Sequence, residues 1–208
     1  MATRAETAKP VLTLALLAAG LTVLIVLVAG ITRERILHNE QAWISQRLDA
    51  LVPPATHDND LLDDSITVRS PDLLGTAQPV RIYRARRNGV PVAAVIRAIA
   101  PDGYRGPIEL LVAIAPDSRL IGVQVIRHNE TPGLGDAFES RDVHWLDRFR
   151  GRSLTDPPTQ RWTVRRDGGD FDAFTGATIT PRAIINAVRN ALDYYQRNSQ
   201  RIFELPPQ

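Results

Sequence analysis

The 208-residue chain contains no cysteine, which excludes disulfides, thiolate metal sites and cysteine-ligated iron–sulfur clusters. Lysine is nearly absent as well. Lys9 is the only one, and no G-x-x-x-x-G-K-[ST] run exists, so a P-loop nucleotide site is excluded. The four histidines (His38, His57, His128 and His144) are scattered without ligand spacing. No metal site is expected from them. A fourth absence is local: from Val11 to Ile31 there is no charged residue, and only Thr13 and Thr22 carry polar side chains.

That uncharged run of about 20 residues, at ~1.5 Å per helical residue, is long enough to span a ~30 Å hydrocarbon core. A cleaved signal peptide needs an apolar region of only about 7–15 residues followed by a small-residue cleavage site. The length here favours an uncleaved, single-pass anchor. Arg4 and Lys9 flank one end and Arg33 and Arg35 the other, so charge alone does not orient it. Arg4, Lys9, Arg33 and Arg35, set against Glu6 and Glu34, account for the whole-chain net charge of +2. Residues 36–208 are therefore neutral overall. Arg81, Arg84, Arg86 and Arg87 cluster, but an alternating strand sends two of them to each face. Nucleic-acid binding needs one-sided basicity, so it is not expected.

Beyond the anchor, helical spacing through Ile36, Trp43, Ile44, Leu48 and Leu51 predicts a helix continuing to Pro53-Pro54, which ends it. Residues 55–65 are acidic and polar and read as a linker, so residues 32–65 form a juxtamembrane helix and linker before a domain over 66–208. That domain reads as α+β. Four strands are predicted over 80–87, 90–100, 107–115 and 120–127, joined by Asn88-Gly89, Asp102-Gly103 and Asp117-Ser118 turns. Such short connections give an antiparallel meander with flanking helices, not a βαβ array. A short helix is expected over 142–149 and a short strand over 161–165. A last helix starts with Thr180 as N-cap and Pro181 at its first position. Its apolar stripe is Ile184, Ile185, Val188, Ala191, Leu192 and Tyr195.

Two segments exceed what packing requires. Asp172-Ala173-Phe174-Thr175-Gly176-Ala177-Thr178 runs straight into that last helix. The unbonded N–H groups and positive dipole end of a helix N-terminus favour an anion such as phosphate. Gly176 and Ala177 leave room for close approach. The same residues also fit an ordinary capping loop. The second segment, Glu130-Thr131-Pro132-Gly133-Leu134-Gly135, holds a type II turn at Pro132-Gly133. The turn explains neither the polar residues before it nor Gly135 after it, so a ligand-hugging loop is the other reading.

At these residues the chain resembles a known family. The 172–178 stretch matches the D-x-x-[ST]-G-A-T flavinylation pattern of FMN-binding domains, and the 130–135 stretch matches a second signature of the same proteins. Both motifs, in this order behind one apolar span, resemble the G subunits of the Rnf ion-translocating electron-transport complex. The resemblance covers nearly the whole chain and is strongest over about 110–195. It implies FMN attached through a phosphoester bond to the Thr178 hydroxyl by a separate flavin transferase that uses FAD as donor. It further implies that Asp172, Thr175, Gly176 and Ala177 guide the transferase and shape the phosphate pocket. Glu130, Thr131, Pro132, Gly133, Leu134 and Gly135 are implied to line the flavin.

By the same resemblance, residues 1–10 are cytoplasmic, 11–31 cross the bacterial inner membrane, and the FMN domain is periplasmic. The chain would be one electron relay among the subunits of a complex working between ferredoxin and NAD, with no independent reaction of its own. Trp145, Trp162, Phe171 and Phe174 are candidates for shielding the flavin, core packing being the alternative. The equivalent FMN subunit of a sodium-pumping NADH:quinone reductase shares this layout, but this chain leaves little room for its larger soluble domain. A membrane-anchored module that binds FMN or another anion reversibly predicts flavin lost on denaturation, and a purely structural assembly subunit predicts colourless protein even beside the transferase.

Overall fold

The computed structural model describes residues 4–139, 144–174 and 176–207. Thr175 of the first motif, and Asp142 at the start of the expected short helix, lie outside the described residues. The chain forms two compact units that divide between Ile44 and Ser45. The first is the greater part of helix α1 (Arg4–Leu51), within which Val11–Thr32 is long and apolar enough to cross a membrane. Its leucines and valines are exposed all round, the mark of a helix whose solvent is hydrocarbon. Thr22 and Thr32 satisfy their hydroxyls internally by donating to the carbonyls of Ala18 (2.8 Å) and Val28 (2.7 Å).

The second unit is built on an antiparallel five-stranded sheet in the order β1-β2-β3-β4-β5. Its strands are β1 (Ser65–Val68), β2 (Val80–Arg87), β3 (Val90–Ala100), β4 (Ile108–Ile114) and β5 (Leu120–Arg127). The last four are the meander read from the sequence, closed at β2–β3 by Asn88 (φ 51°) and Gly89 (φ 77°). Both residues are left-handed, as a type I′ hairpin turn requires. Helix α2 (Pro71–Leu74) follows β1, and helix α3 (Ile179–Glu204) crosses the sheet.

Ile82, Ile96, Leu110 and Val112 on one sheet face join Ile184, Ile185, Val188, Ala191 and Leu192 of α3 in one buried cluster. The intervening residues Tyr83, Ala85, Ala93, Val95, Leu111 and Ala113 are buried too. A sheet covered on both faces explains why β3 and β4 are almost continuously apolar. Leu51 packs on β5, where a Cβ at Gly122 would come 3.0 Å from its Cδ2.

Three local expectations change. Over 161–165 there is no strand but two 3-10 turns, Thr159–Arg161 and Arg165–Asp167. Only Val164 makes a single parallel bridge, to Phe171. The buried Trp162 and Val164 satisfy the period-2 pattern within an aromatic cluster, and the Trp162 indole donates to the carbonyls of Ser153 and Pro157. The described end of the 142–149 segment is a 3-10 turn, Trp145–Phe149. Residues 55–64, read as a linker, are fastened to β2. Asp58 N–H donates to Arg86 O and Arg84 N–H to Asp64 O, while the Asn59 side chain bonds the main chain of both arginines.

Burial raises the phenol pKa values of Tyr194 and Tyr195, with the charge of Asp117 adding to the effect at Tyr195. A pKa raised on folding contributes stability that is whole below the unfolded value of about 10 and is lost as pH climbs through the folded value. The melting temperature is therefore expected to fall as pH rises above about 10. Tyr195→Phe, which removes the titrating group, should flatten that fall in a pH-resolved thermal melt.

Candidate functional site

The two motif segments meet at the start of α3. A cleft of about 190 Å³ is lined by Tyr104, Thr131, Leu134, Gly135, Gly176, Ala177, Thr178, Ile179 and Thr180. Its base is the first turn of α3, where N–H groups have no partner within the helix itself. The helix begins two residues earlier than expected. Ile179 is its first residue and Thr178 the N-cap, and the Thr178 side chain makes no capping hydrogen bond. Thr178 is half-buried. Gly176, at φ 81°, turns the chain into it, and Ala177 N–H donates to Phe174 O (3.1 Å).

Thr180 is therefore not the cap. It is fully buried, and its hydroxyl donates to Oε2 of Glu130 at 2.6 Å. Glu130, itself 4% exposed, accepts with its other oxygen from the Arg105 N–H at 3.0 Å. One buried carboxylate thus joins the 130–135 loop, the start of α3 and the 103–106 turn. Gly135 is required there, because a Cβ would stand 2.7 Å from Oε2. The loop then folds back on itself, with Leu134 and Gly135 N–H both donating to Thr131 O (3.1 and 3.0 Å). Gly133 at φ 78° completes the expected Pro132-Gly133 turn, and its N–H is held by Asp136 Oδ1 at 2.7 Å.

Glu130→Ala is expected to destabilise the fold by about 1–3 kcal/mol, since it strips the acceptor from the buried Thr180 hydroxyl and the Arg105 amide. Glu130→Gln should cost less, because the Thr180 hydroxyl can turn to accept from the new amide. Urea denaturation of the two variants checks that order.

The electrostatics suit an anion such as phosphate. Among the described residues no acidic side chain lines the cleft, and both oxygens of nearby Glu130 are engaged. The cleft lining combines Tyr104, Leu134 and Ile179 with Thr131, Thr178 and the positive end of a 26-residue helix. Three arginines near the first motif are paired with carboxylates. Arg182 binds Asp167 through two bonds (2.6 and 2.9 Å), holding that carboxyl below its ordinary range. Arg148 (2.5 Å) and Arg165 (3.1 Å) pair with Asp172.

Among the motif residues, the structure brings Gly176, Ala177, Thr178, Thr131, Leu134 and Gly135 to the cleft. Pro132 and Gly133 stay exposed at the loop tip, and Glu130 lies behind the cleft as a brace. Asp172 faces the two arginines. Trp145, Trp162, Phe171 and Phe174 are 6% exposed or less and form an edge-to-face and stacked core. None of the four lines the cleft, so the packing alternative holds for them. Sequence reading missed Tyr104 and Ile179. The turn signal at Asp102-Gly103 marked where Tyr104 lies, but only the fold brings that turn to Thr178.

An FMN-binding domain family matches residues 103–193, from the turn that carries Tyr104 into α3. The chain is 41% identical to the G subunit of the ion-translocating oxidoreductase complex of Aliivibrio fischeri over 198 residues, 95% of this chain and 94% of the relative. The same-named protein of Vibrio cholerae is 44% identical, covering 94% of this chain and 93% of the relative. That of Pseudoalteromonas atlantica is 48% identical, covering 83% and 80%.

Proposed function

The chain belongs to the family of G subunits of the ion-translocating oxidoreductase complex, and from that premise we propose that it relays electrons on FMN carried covalently by Thr178. The observation that carries this reading is the position of Thr178. It is half-buried, its side chain makes no capping hydrogen bond, and it lines a cleft floored by a helix N-terminus.

Thr178 is an acceptor and not a catalytic nucleophile, and the described lining of the cleft contains no histidine to activate it. Attachment joins the Thr178 oxygen to the FMN phosphorus. The pyrophosphate bond of FAD breaks, AMP leaves and the hydroxyl proton is released, all under a separate flavin transferase. The phosphodiester that results keeps a negative charge. The α3 N-terminus favours such a charge by ~0.3–1 kcal/mol where exposed. Gly176 keeps the approach open, since a Cβ there would meet only Leu134, at 3.8 Å.

Bound FMN supplies the reversible electron uptake, and the protein supplies position and shielding. A covalent tether holds the cofactor at an effective concentration in the mM range typical of short linkers, where a free flavin outside the cytoplasm would be diluted away. In this reading Val11–Thr32 anchors the chain in the inner membrane, with the tail cytoplasmic and the FMN domain periplasmic. Other members of the complex donate and accept the electrons between ferredoxin and NAD.

In-gel flavin fluorescence after denaturing electrophoresis tests the proposal, with the full chain co-expressed with a flavin transferase. A fluorescent band is expected. A dark band from folded, membrane-inserted protein beside an active transferase sinks it.

A further inference from the structure

We infer that Tyr104 is the platform on which the isoalloxazine ring of the Thr178-linked flavin rests, outside the cleft and not within it. The inference rests on the covalent-FMN reading above. The first observation is size. A cleft of about 190 Å³ is smaller than the ~300–1,000 Å³ of pockets that enclose a whole drug-sized ligand. It has room for the phosphate and part of the ribityl chain, so the tricyclic ring must project beyond its mouth.

The second observation is what surrounds that mouth. Tyr104 is 67% exposed, Leu134 52% and Ile179 46%. Outside the apolar anchor helix, few large hydrophobic side chains are exposed, and these three share one small cleft with Thr178. Exposed apolar side chains gathered at one site mark a binding surface, whereas scattered ones need no explanation. The tyrosine is the only aromatic among the described lining residues, and an aromatic face is the natural partner for a planar conjugated ring.

The third observation is rigidity. The turn that presents Tyr104 is clamped from below by the Arg105 N–H to Glu130 bond. It is closed by Gly106 N–H to Gly103 O (3.3 Å). Gly103 permits this tight closure, since a Cβ there would lie 2.2 Å from Gly106 O. The ring is thus held out over the cleft by the same carboxylate that fixes the start of α3. Tyr104 acts as a positioning residue, and it leaves the ring's other face open to an electron-exchange partner.

The test uses the full chain, loaded with flavin in cells and purified in detergent, comparing wild type with Tyr104→Ala and Tyr104→Phe. Both variants should fold, because the side chain is mostly exposed, and equal covalent loading in the gel controls for attachment. A phenol stacked on a flavin quenches its fluorescence by lending one electron to the excited ring and taking it back on recombination, with no net reaction. Tyr104→Ala is expected to give brighter flavin fluorescence and lower anisotropy. The ratio of stacked to free ring should fall about two- to twelvefold, the range for one aromatic pair. Tyr104→Phe should keep the anisotropy but lose much of the quenching, a split that a merely structural residue would not produce. Equal brightness and anisotropy in loaded wild type and Tyr104→Ala overturn the inference while leaving Thr178 attachment intact. Protein that carries no flavin in any form overturns both.

Discussion

Thr178→Ala is expected to remove all covalently bound flavin, turning the fluorescent band dark while leaving the protein folded. The effect is all-or-none because the substitution deletes the one oxygen through which the phosphoester would form. Stability should change little. Thr178 makes no side-chain capping bond, so the usual cost of about 1 kcal/mol for losing an N-cap does not apply. Thr178→Ser keeps the oxygen and is expected to retain a fluorescent band. The neighbouring Thr180→Ala should behave in the opposite sense. It disturbs the Glu130 bond and thereby stability, but it leaves the Thr178 oxygen in place and so the band fluorescent. Gel fluorescence and urea denaturation run on the three variants separate acceptor from brace. A fluorescent Thr178→Ala band would move the attachment elsewhere.

Asp64→Ala is expected to be the most damaging substitution away from the cleft, at about 3–5 kcal/mol, the usual cost of breaking a buried ion pair. Arg84 is 1% exposed, and its guanidinium is paired with Asp64. The same group donates to the carbonyls of Ile202 (3.0 Å) and Leu205 at the end of α3. Arg86 also binds Asp64 (2.9 Å), and it donates to Phe203 O (2.7 Å). Two arginines of β2 therefore satisfy the last carbonyls of a helix 117–121 residues further along the chain. They also complement the negative end of its dipole. Removing Asp64 leaves Arg84 charged and buried without a counter-ion. Arg84→Leu should cost less, because Asp64 is partly exposed, at 18%, and still holds Arg86. Urea denaturation followed by tryptophan fluorescence gives the order, and equal losses from the two variants would refute the asymmetry.

This network also explains the arginine cluster. Alternation along β2 was enough to exclude a one-sided basic surface, since the pattern has a fixed period of two. What Arg84 and Arg86 do instead was not legible, because their partners come from residues 64 and 202–205. The same contrast recurs over 161–165. There the alternating pattern is real and the residues are buried, yet tertiary packing into the aromatic cluster replaced strand pairing. The acidic 55–64 stretch looked like free linker for a related reason: hydrophilic composition does not reveal that Asp64 and Asn59 meet β2.

Local chemistry determined the rest. Uncharged length gave the apolar span, alternating residues and Asn-Gly or Asp-Gly turns gave the β2–β5 meander, and helical spacing gave the buried face of α3. These signals are carried by residues within one or two turns of each other, so a linear reading recovers them. The place of Thr178, in a short motif just before a helix, was legible in the same way. Tertiary structure alone decided which groups surround it. The Glu130 carboxylate reaches across 50 residues to Thr180 and across 25 to Arg105. Through it a turn between two strands brings Tyr104 to the cleft, while mutual packing keeps the four large aromatics in the core. Burial and long-range hydrogen bonds are properties of the folded chain, and no period or spacing along the sequence encodes them.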